Sequence, residues 1–370
     1  MKRRFMLAFS LLILSLGATR QVFAWDGAFF DLFQVPFSAR EAALGGNHAA
    51  QADDISTLVS NAAGFRSVPP NLSIGATDIS IYDGPTNTDG SRDTTYDLFG
   101  PLSIAYVGNG LGFGFFSDTN VLSRTRGQYP NGSTQGTENI VLIGGYAFRI
   151  NLPEASKSTL DVGFSLPLFF AARTNSRQDV RGLFASAITL HDFVINETYT
   201  VATGVSAEIG LLYTWDNTLS VGLAARNLAV TSWQTYTSFA DYQQGATPEL
   251  TTTWLPMDIS LGIRWNPPIK YTVRAVDGFS LMADYNDIFD FVIYPPGARN
   301  PLLHIGLGME ITLLRVVKLR AGFYQLLPSG GLSLDLGFFT LDMAVFGREL
   351  STQPWTIPVY GYMAGIRFHT

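Results

Sequence analysis

Leu160-Asp161-Val162-Gly163-Phe164-Ser165-Leu166-Pro167-Leu168-Phe169-Phe170 decides the fold. Successive side chains of a β-strand point to opposite faces. Leu160, Val162, Phe164, Leu166, Leu168 and Phe170 therefore share one face, while Asp161, Gly163 and Ser165 lie on the other. A segment of this length, apolar on one side and small or polar on the other, matches a tilted membrane crossing of roughly 9–11 residues.

The same period of two recurs along the chain. Ile140, Leu142, Gly144, Tyr146, Phe148 and Ile150 form one row, and Val201, Val205, Ala207, Ile209, Leu211 and Tyr213 another. Further rows run through Leu219–Ala225, Ile259–Trp265, Leu303–Ile311 and Val317–Phe323, and the last through Tyr360, Tyr362, Ala364, Ile366 and Phe368. Strand starts fall near residues 72, 102, 111, 138, 160, 201, 217, 257, 277, 301, 316, 331, 340 and 359. About fourteen strands, an even number, predict an all-β fold: a transmembrane antiparallel barrel over residues 72–370.

Composition agrees. The chain is 46% hydrophobic and only 15% charged, yet beyond residue 24 its longest apolar run is 166–172, far short of the roughly 20 residues a membrane helix needs. The hydrophobicity is spread by alternation, as in a barrel whose lipid-facing and lumen-facing residues alternate. A net charge of −6 argues against nucleic acid as a partner. With no cysteine, disulfide scaffolds, thiol nucleophiles and Cys-based metal sites are excluded. No paired histidine spacing suggests a metal, and no Gly-rich phosphate loop or other catalytic signature points to an enzyme or a cofactor; His191 and His304 lack a local motif.

The expected connections alternate in length, as in barrels with short periplasmic turns and longer outer loops. Short ones are Asn109-Gly110, the segment 215–217 and the segment 313–315; long ones are 83–101, 119–137, 174–200 and 228–256.

The N-terminus is different. Lys2, Arg3 and Arg4 precede an apolar stretch over residues 5–17, and Val22-Phe23-Ala24 offers small residues for cleavage before Trp25, so residues 1–24 are expected to be a signal peptide of an exported protein. In residues 25–71, Ser38-Ala39-Arg40-Glu41 makes a capping box. Gly45 and Gly46 stop that helix. Asp53 or Asp54 caps a second short helix through Ile55, Leu58 and Val59. Two short helices ahead of a barrel can lie in its lumen as a plug. Gly163, Gly262, Gly306, Gly308, Gly322, Gly337, Gly361 and Gly365, all opposite in phase to the apolar rows, leave room for such a plug.

Arg40, then Gly45-Gly46, then Ala52-Asp53-Asp54, then Asn61-Ala62-Ala63-Gly64-Phe65 resembles the N-terminal hatch of the FadL superfamily, particularly its PorV-type and spirochaetal FadL-like branches. Those branches carry Asn-Pro-Ala-Gly in the last motif; here Ala62 replaces the proline. The motif spans about thirty residues, and the strand count extends the resemblance along the mature chain as architecture. The resemblance implies an outer-membrane barrel folded by the barrel-assembly machinery, in contact with outer-membrane lipid. Its implied function is passive uptake of hydrophobic ligands, typically long-chain fatty acids. A PorV-like interaction and shuttle barrel for exported proteins, or a general diffusion porin, are the alternatives.

Two groups of residues bear on that choice. Inward positions carry Asp258, Arg264, Asp284, His304, Glu310, Lys318, Arg320, Asp335, Asp342, Arg348 and Arg367, expected to brace wall and plug as ion pairs. Candidate hydrophobic-ligand contacts are Phe29, Phe30, Phe33 and Phe37 in the plug, and Leu183, Phe184, Phe193, Trp233, Tyr236 and Phe239 in the third and fourth outer loops. Apolar loops at a water-facing surface usually mark a binding surface. In FadL proteins those two loops form the groove that first captures substrate.

Overall fold

The computed structural model describes residues 36, 38–86, 91–126, 129–176, 199–254, 257–268, 276–293 and 297–369. One antiparallel sheet carries all the strands: β1 (Asn71–Thr86), β2 (Ser91–Gly108), β3 (Leu111–Arg126), β4 (Tyr129–Asn151), β5 (Ser158–Ser176), β6 (Tyr199–Trp215), β7 (Leu219–Tyr236), β8 (Glu249–Trp254), β9 (Asp258–Trp265), β10 (Val276–Tyr285), β11 (Ile305–Leu313), β12 (Val317–Tyr324), β13 (Leu327–Asp335), β14 (Phe339–Glu349) and β15 (Pro358–His369). Sequence neighbours pair in order and β1 pairs with β15, so the sheet closes. β8 lies along the outer half of β7 and β9 along its inner half. These two strands share one stave, which makes fifteen strands a barrel of fourteen staves.

The alternation read from the sequence is the alternation of the wall. Phe164, Leu166 and Leu168 are 49–50% exposed, whereas Asp161, Gly163 and Ser165 between them are buried. Exposed rows recur as Ile140 and Leu142 on β4, Leu261 and Ile263 on β9, and Tyr360 and Tyr362 on β15, forming the apolar belt that faces lipid. The rim turns demand left-handed backbone, and polar residues supply much of it: Asn109 has φ 55°, while Asp216 and Asn217 have φ 49° and 52°.

Two of the expected outer loops are strand in their described residues. Residues 83–86 and 91–101 belong to β1 and β2, and 119–126 and 129–137 to β3 and β4, with Tyr96 opposite Val121 and Leu122 opposite Gln135. Beyond the bilayer both faces of a ladder meet water, so its backbone pairing continues without the apolar alternation that reveals a strand. As a result β1–β7 run 16–23 residues each, whereas β9–β13 run 8–10. The fourth expected loop is also largely regular: β7 continues to Tyr236, helix α3 (Phe239–Gln243) follows, and β8 returns.

The ladder slips at several places on the tall side, two of them at glycine. β1 shifts register between Ile74 and Thr77, where Gly75 has φ 64°. β2 shifts against β3 between Phe99 and Ser103, across Gly100-Pro101. Proline has no N–H to give a ladder, and an extra residue bends the strand at such a bulge.

Candidate functional site

Residues 38–70 lie against the inner face of the wall. Helix α1 (Ala39–Ala43) starts where Ser38 accepts from the Glu41 backbone N–H at 3.2 Å. It ends in two glycines, both at φ 73°, with Gly46 N–H returning to the Glu41 carbonyl. Asp54, rather than Asp53, caps the second helical turn, a 3-10 turn over Ile55–Leu58, by accepting from Ser56 N–H at 2.8 Å. A third short helix, α2 (Gly64–Ser67), was not anticipated; Asn61 Oδ1 accepts from Ala63 N–H just ahead of it at 3.0 Å.

Glycines on the wall make this fit possible. A Cβ at Gly163 would overlap the Ala62 backbone, one at Gly222 the Ala49 carbonyl, and one at Gly306 the Gly45 carbonyl. Gly308 and Gly322 meet Leu44 and Gly45 in the same way. Of the other glycines singled out in the sequence, Gly262 abuts Asp284 and Ala50, and Gly365 abuts the Asp78 carboxylate; Gly337, at φ 85°, has open space around it and serves a turn.

One side of the segment is ionic. Arg40 Nη1 reaches Asp53 at 2.7 Å and Asp54 at 2.8 Å, and its Nε lies 3.4 Å from Glu310 on β11. Arg264 on β9 holds Asp53 at 2.6 Å, and Arg367 on β15 holds Asp54 at 3.3 Å. Arg320 on β12 joins Glu310 and Asp342, each at 2.7 Å. Four guanidiniums (Arg40, Arg264, Arg320, Arg367) thus face four carboxylates (Asp53, Asp54, Glu310, Asp342), so the set is neutral by count. Burial opposes the charge on Arg40, but Asp53, Glu310 and Asp54 overcome it and raise its pKa well above the usual value. Burial likewise opposes ionisation of Asp53 and Asp54. Arg264 and Arg40 nevertheless hold Asp53 well below the carboxylate range, and Arg40 with Arg367 brings Asp54 to about 2.

A second set sits beside His48. Asp284 on β10 accepts from the backbone N–H groups of His48 and Ala49 at 2.6 and 2.7 Å. Arg226 on β7 binds Asp258 and donates to the Val59 carbonyl at 3.2 Å. Burial, then Arg226, push the His48 imidazole down to about 4. A folded pKa below the ordinary 6.5 means that His48 favours the folded arrangement above pH 6.5 and loses that contribution as pH falls toward 4. The Asp54 contribution is complete above 3.8 and fades toward 2. The stability difference between wild type and His48→Gln in detergent should therefore shift, against wild type, as pH falls from 6.5 to 4 and level off below pH 4; a difference independent of pH across that window would contradict this.

The other side of the segment is apolar. Leu58, Val59, Ala62 and Phe65 pack with Val107, Phe116, Val141, Ile143 and Phe169 of β2–β5 and Ala202 of β6, and the lining continues past the segment toward the outer end of the barrel.

The remaining site residues separate clearly. Lys318 pairs with Asp335 at 3.4 Å, and Arg348 sits half-buried on β14. Phe29, Phe30, Phe33, Phe37, Leu183, Phe184 and Phe193 lie outside the described residues, as does the Trp233 side chain. Tyr236 and Phe239 do not line the lumen. They pack with Tyr199, Val201 and Tyr242 on the outward phase of β5–β7, Tyr199 and Phe239 meeting edge to face at 5.0 Å, so α3 folds back over the outside of the wall. Asp78, Glu208 and Arg226 escaped the sequence reading, although the inward phase of their strands places each of them in the lumen.

No protein-family model matches the sequence, and no curated protein matches it. Solved structures do. The deltaS2S3 mutant of the monoaromatic hydrocarbon channel TodX superposes with a TM-score of 0.55 at 14% identity, over 90% of this chain and 98% of that one. The monoaromatic hydrocarbon channel CymD gives 0.51 at 12% identity, over 90% and 97%. The Pseudomonas putida toluene transporter TodX gives 0.50 at 14% identity, over 90% and 96%. The chain has the fold of these channels. On this barrel Arg40, Asp53 and Asp54 meet as one ion cluster, and the Asn61 side-chain amide donates to the Ala49 carbonyl at 2.6 Å. These neighbours are named as channels and transporters, not enzymes.

Proposed function

We propose that this chain is an outer-membrane channel for passive entry of hydrophobic small molecules, exported with residues 1–24 as a cleaved signal peptide and closed by residues 25–71 acting as a hatch. The observation that carries this reading is the apolar lining beside the segment: Phe116, Val141, Phe169 and Ala202 run from the 3-10 turn toward the outer mouth with no charge among them. Apolar ligands favour such concave surfaces, while an ion path would not. The Arg40 cluster draws its wall residues from β9, β11, β12, β14 and β15, whereas Phe116, Val141 and Phe169 stand on β3–β5. Phe29, Phe30, Phe33 and Phe37 would extend the ligand surface from the segment.

Fatty acids and monoaromatic hydrocarbons are both candidate cargoes. The structural neighbours named for toluene and monoaromatic hydrocarbons favour small aromatic ligands, and the hatch motif favours long acyl chains. Binding of a fluorescent fatty acid to the refolded protein, with toluene as competitor, separates the two. Phe169→Asp places an unpaired charge on the lining and should weaken binding of either ligand at least tenfold. A folded Phe169→Asp barrel with unchanged affinity would sink the proposal. The many ion pairs holding residues 38–70 favour one other reading, a PorV-like docking barrel whose segment never moves. Absence of any ligand binding together with retention of an exported protein partner would support it.

A further inference from the structure

We propose that Asp287, Asp290 and His304 form a binding site for one divalent transition cation, of the zinc type, at the outer end of β10 and β11. Among the described residues, these are the side chains of the metal-ligating types that converge: one ligand atom from each lies within 4.8 Å of the others. Asp290 and His304 are buried and Asp287 is half-buried. Asp290 opens helix α4 (Asp290–Ile293), and His304 ends the turn Pro301–His304 that leads into β11.

The spacing suits a cation. Asp290 Oδ2 and His304 Nε2 are 3.3 Å apart. Two donors on one tetrahedral zinc, each about 2.0–2.1 Å from the ion, are separated by about 3.4 Å. Two atoms of the triad already stand at ligand spacing, and Asp287 offers a carboxylate oxygen within 4.8 Å of both. A bound water would complete four-coordination.

The surroundings hold the donors as an outer shell would. Ligating histidines are oriented by a hydrogen bond from the ring, and ligating carboxylates are hydrogen-bonded in turn. Asp290 Oδ2 lies 3.3 Å from the His304 ring nitrogen, and Tyr285 stacks on that ring with centroids 5.8 Å apart. Arg299 N–H donates to Asp290 Oδ2 at 2.7 Å, and Asp287 N–H donates to Asp258 Oδ1 at 3.2 Å. The Arg299 guanidinium, which could have neutralised the two carboxylates, is instead spent on the carbonyls of Glu349 and Ser351 at 2.5 and 3.3 Å. The imidazole donor selects a transition cation over calcium or magnesium, which prefer oxygen throughout.

Zinc titrated calorimetrically into the metal-free, refolded full chain should bind once per barrel. His304→Ala and Asp287→Asn should each weaken binding at least tenfold, and calcium at the same concentration should not compete. Heat-modifiable mobility on gels establishes that each variant is folded; if His304→Ala fails that check, His304→Gln is measured in its place. Absence of zinc binding, zinc binding indifferent to the folded variants, or equal binding of calcium would overturn the proposal.

Discussion

Arg40→Met should loosen the N-terminal segment from the barrel and lower the stability of the folded protein by about 3 kcal/mol. Its guanidinium touches Asp53, Asp54 and Glu310, and its side chain is only 9% exposed. Removing one partner of a buried ion set strands the others without compensation, at a cost of about 3–5 kcal/mol. The lower end applies because the Asp53 and Asp54 side chains are 34% and 24% exposed and partly screened by water. Arg264 and Arg367 still reach the two aspartates, so the barrel itself should survive. The variant should unfold at lower temperature in detergent and leak small solutes in a liposome-swelling assay. Arg40→Lys should rescue it only in part, because an ammonium cannot present the planar fork that spans two carboxylates. Wild-type leakage and stability in Arg40→Met would show that the cluster does not anchor the segment.

The second large effect contrasts two adjacent glycines of β4. Gly144 faces outward, and a Cβ there meets nothing within 4 Å. Gly145 faces inward, where a Cβ would come within 2.5 Å of the Phe164 carbonyl and 2.7 Å of the Phe65 ring. Backbone cannot move aside as a flexible side chain can, and overpacking of this kind costs about 1–3 kcal/mol or more. Gly144→Val should be neutral or mildly stabilising in a strand, whereas Gly145→Val should displace Phe65 and expose the bond after Arg66 to trypsin. Equal trypsin resistance in the two variants would contradict the inward packing of Phe65.

Much of this architecture is written in the period of the sequence, because a wall bathed in lipid on one side must alternate. All fourteen expected strand starts fall in or beside a stave, and Asp284, Glu310, Arg320, Asp342 and Arg367 are buried. Legibility fails where the solvent changes. The upper parts of β1–β4 keep the pairing without apolar alternation: in Thr94-Thr95-Tyr96 the buried residue is the threonine and the exposed one the tyrosine. A break such as the one between β8 and β9 leaves the same apolar content with a different pairing. The Arg40–Asp53–Asp54 cluster was legible only as a motif, since its wall partners Glu310 and Arg367 are 270 and 313 residues distant. Tyr236 and Phe239 were legible as a cluster but not as to side: the slip in the β6–β7 ladder between Ala207 and Ile209 changes which residues of β7 face outward, and local composition holds no record of that slip.

The unequal stave lengths have a consequence for traffic. With β1–β7 reaching well beyond β9–β13, the rim of the barrel is cut obliquely, like a quill. The low lip ends beside the apolar belt at Phe323, while the high lip continues as paired strand to Arg126 and Tyr129. For the channel proposed above, the low lip would be the side on which a molecule skimming along the cell surface arrives, with the high wall as its backstop.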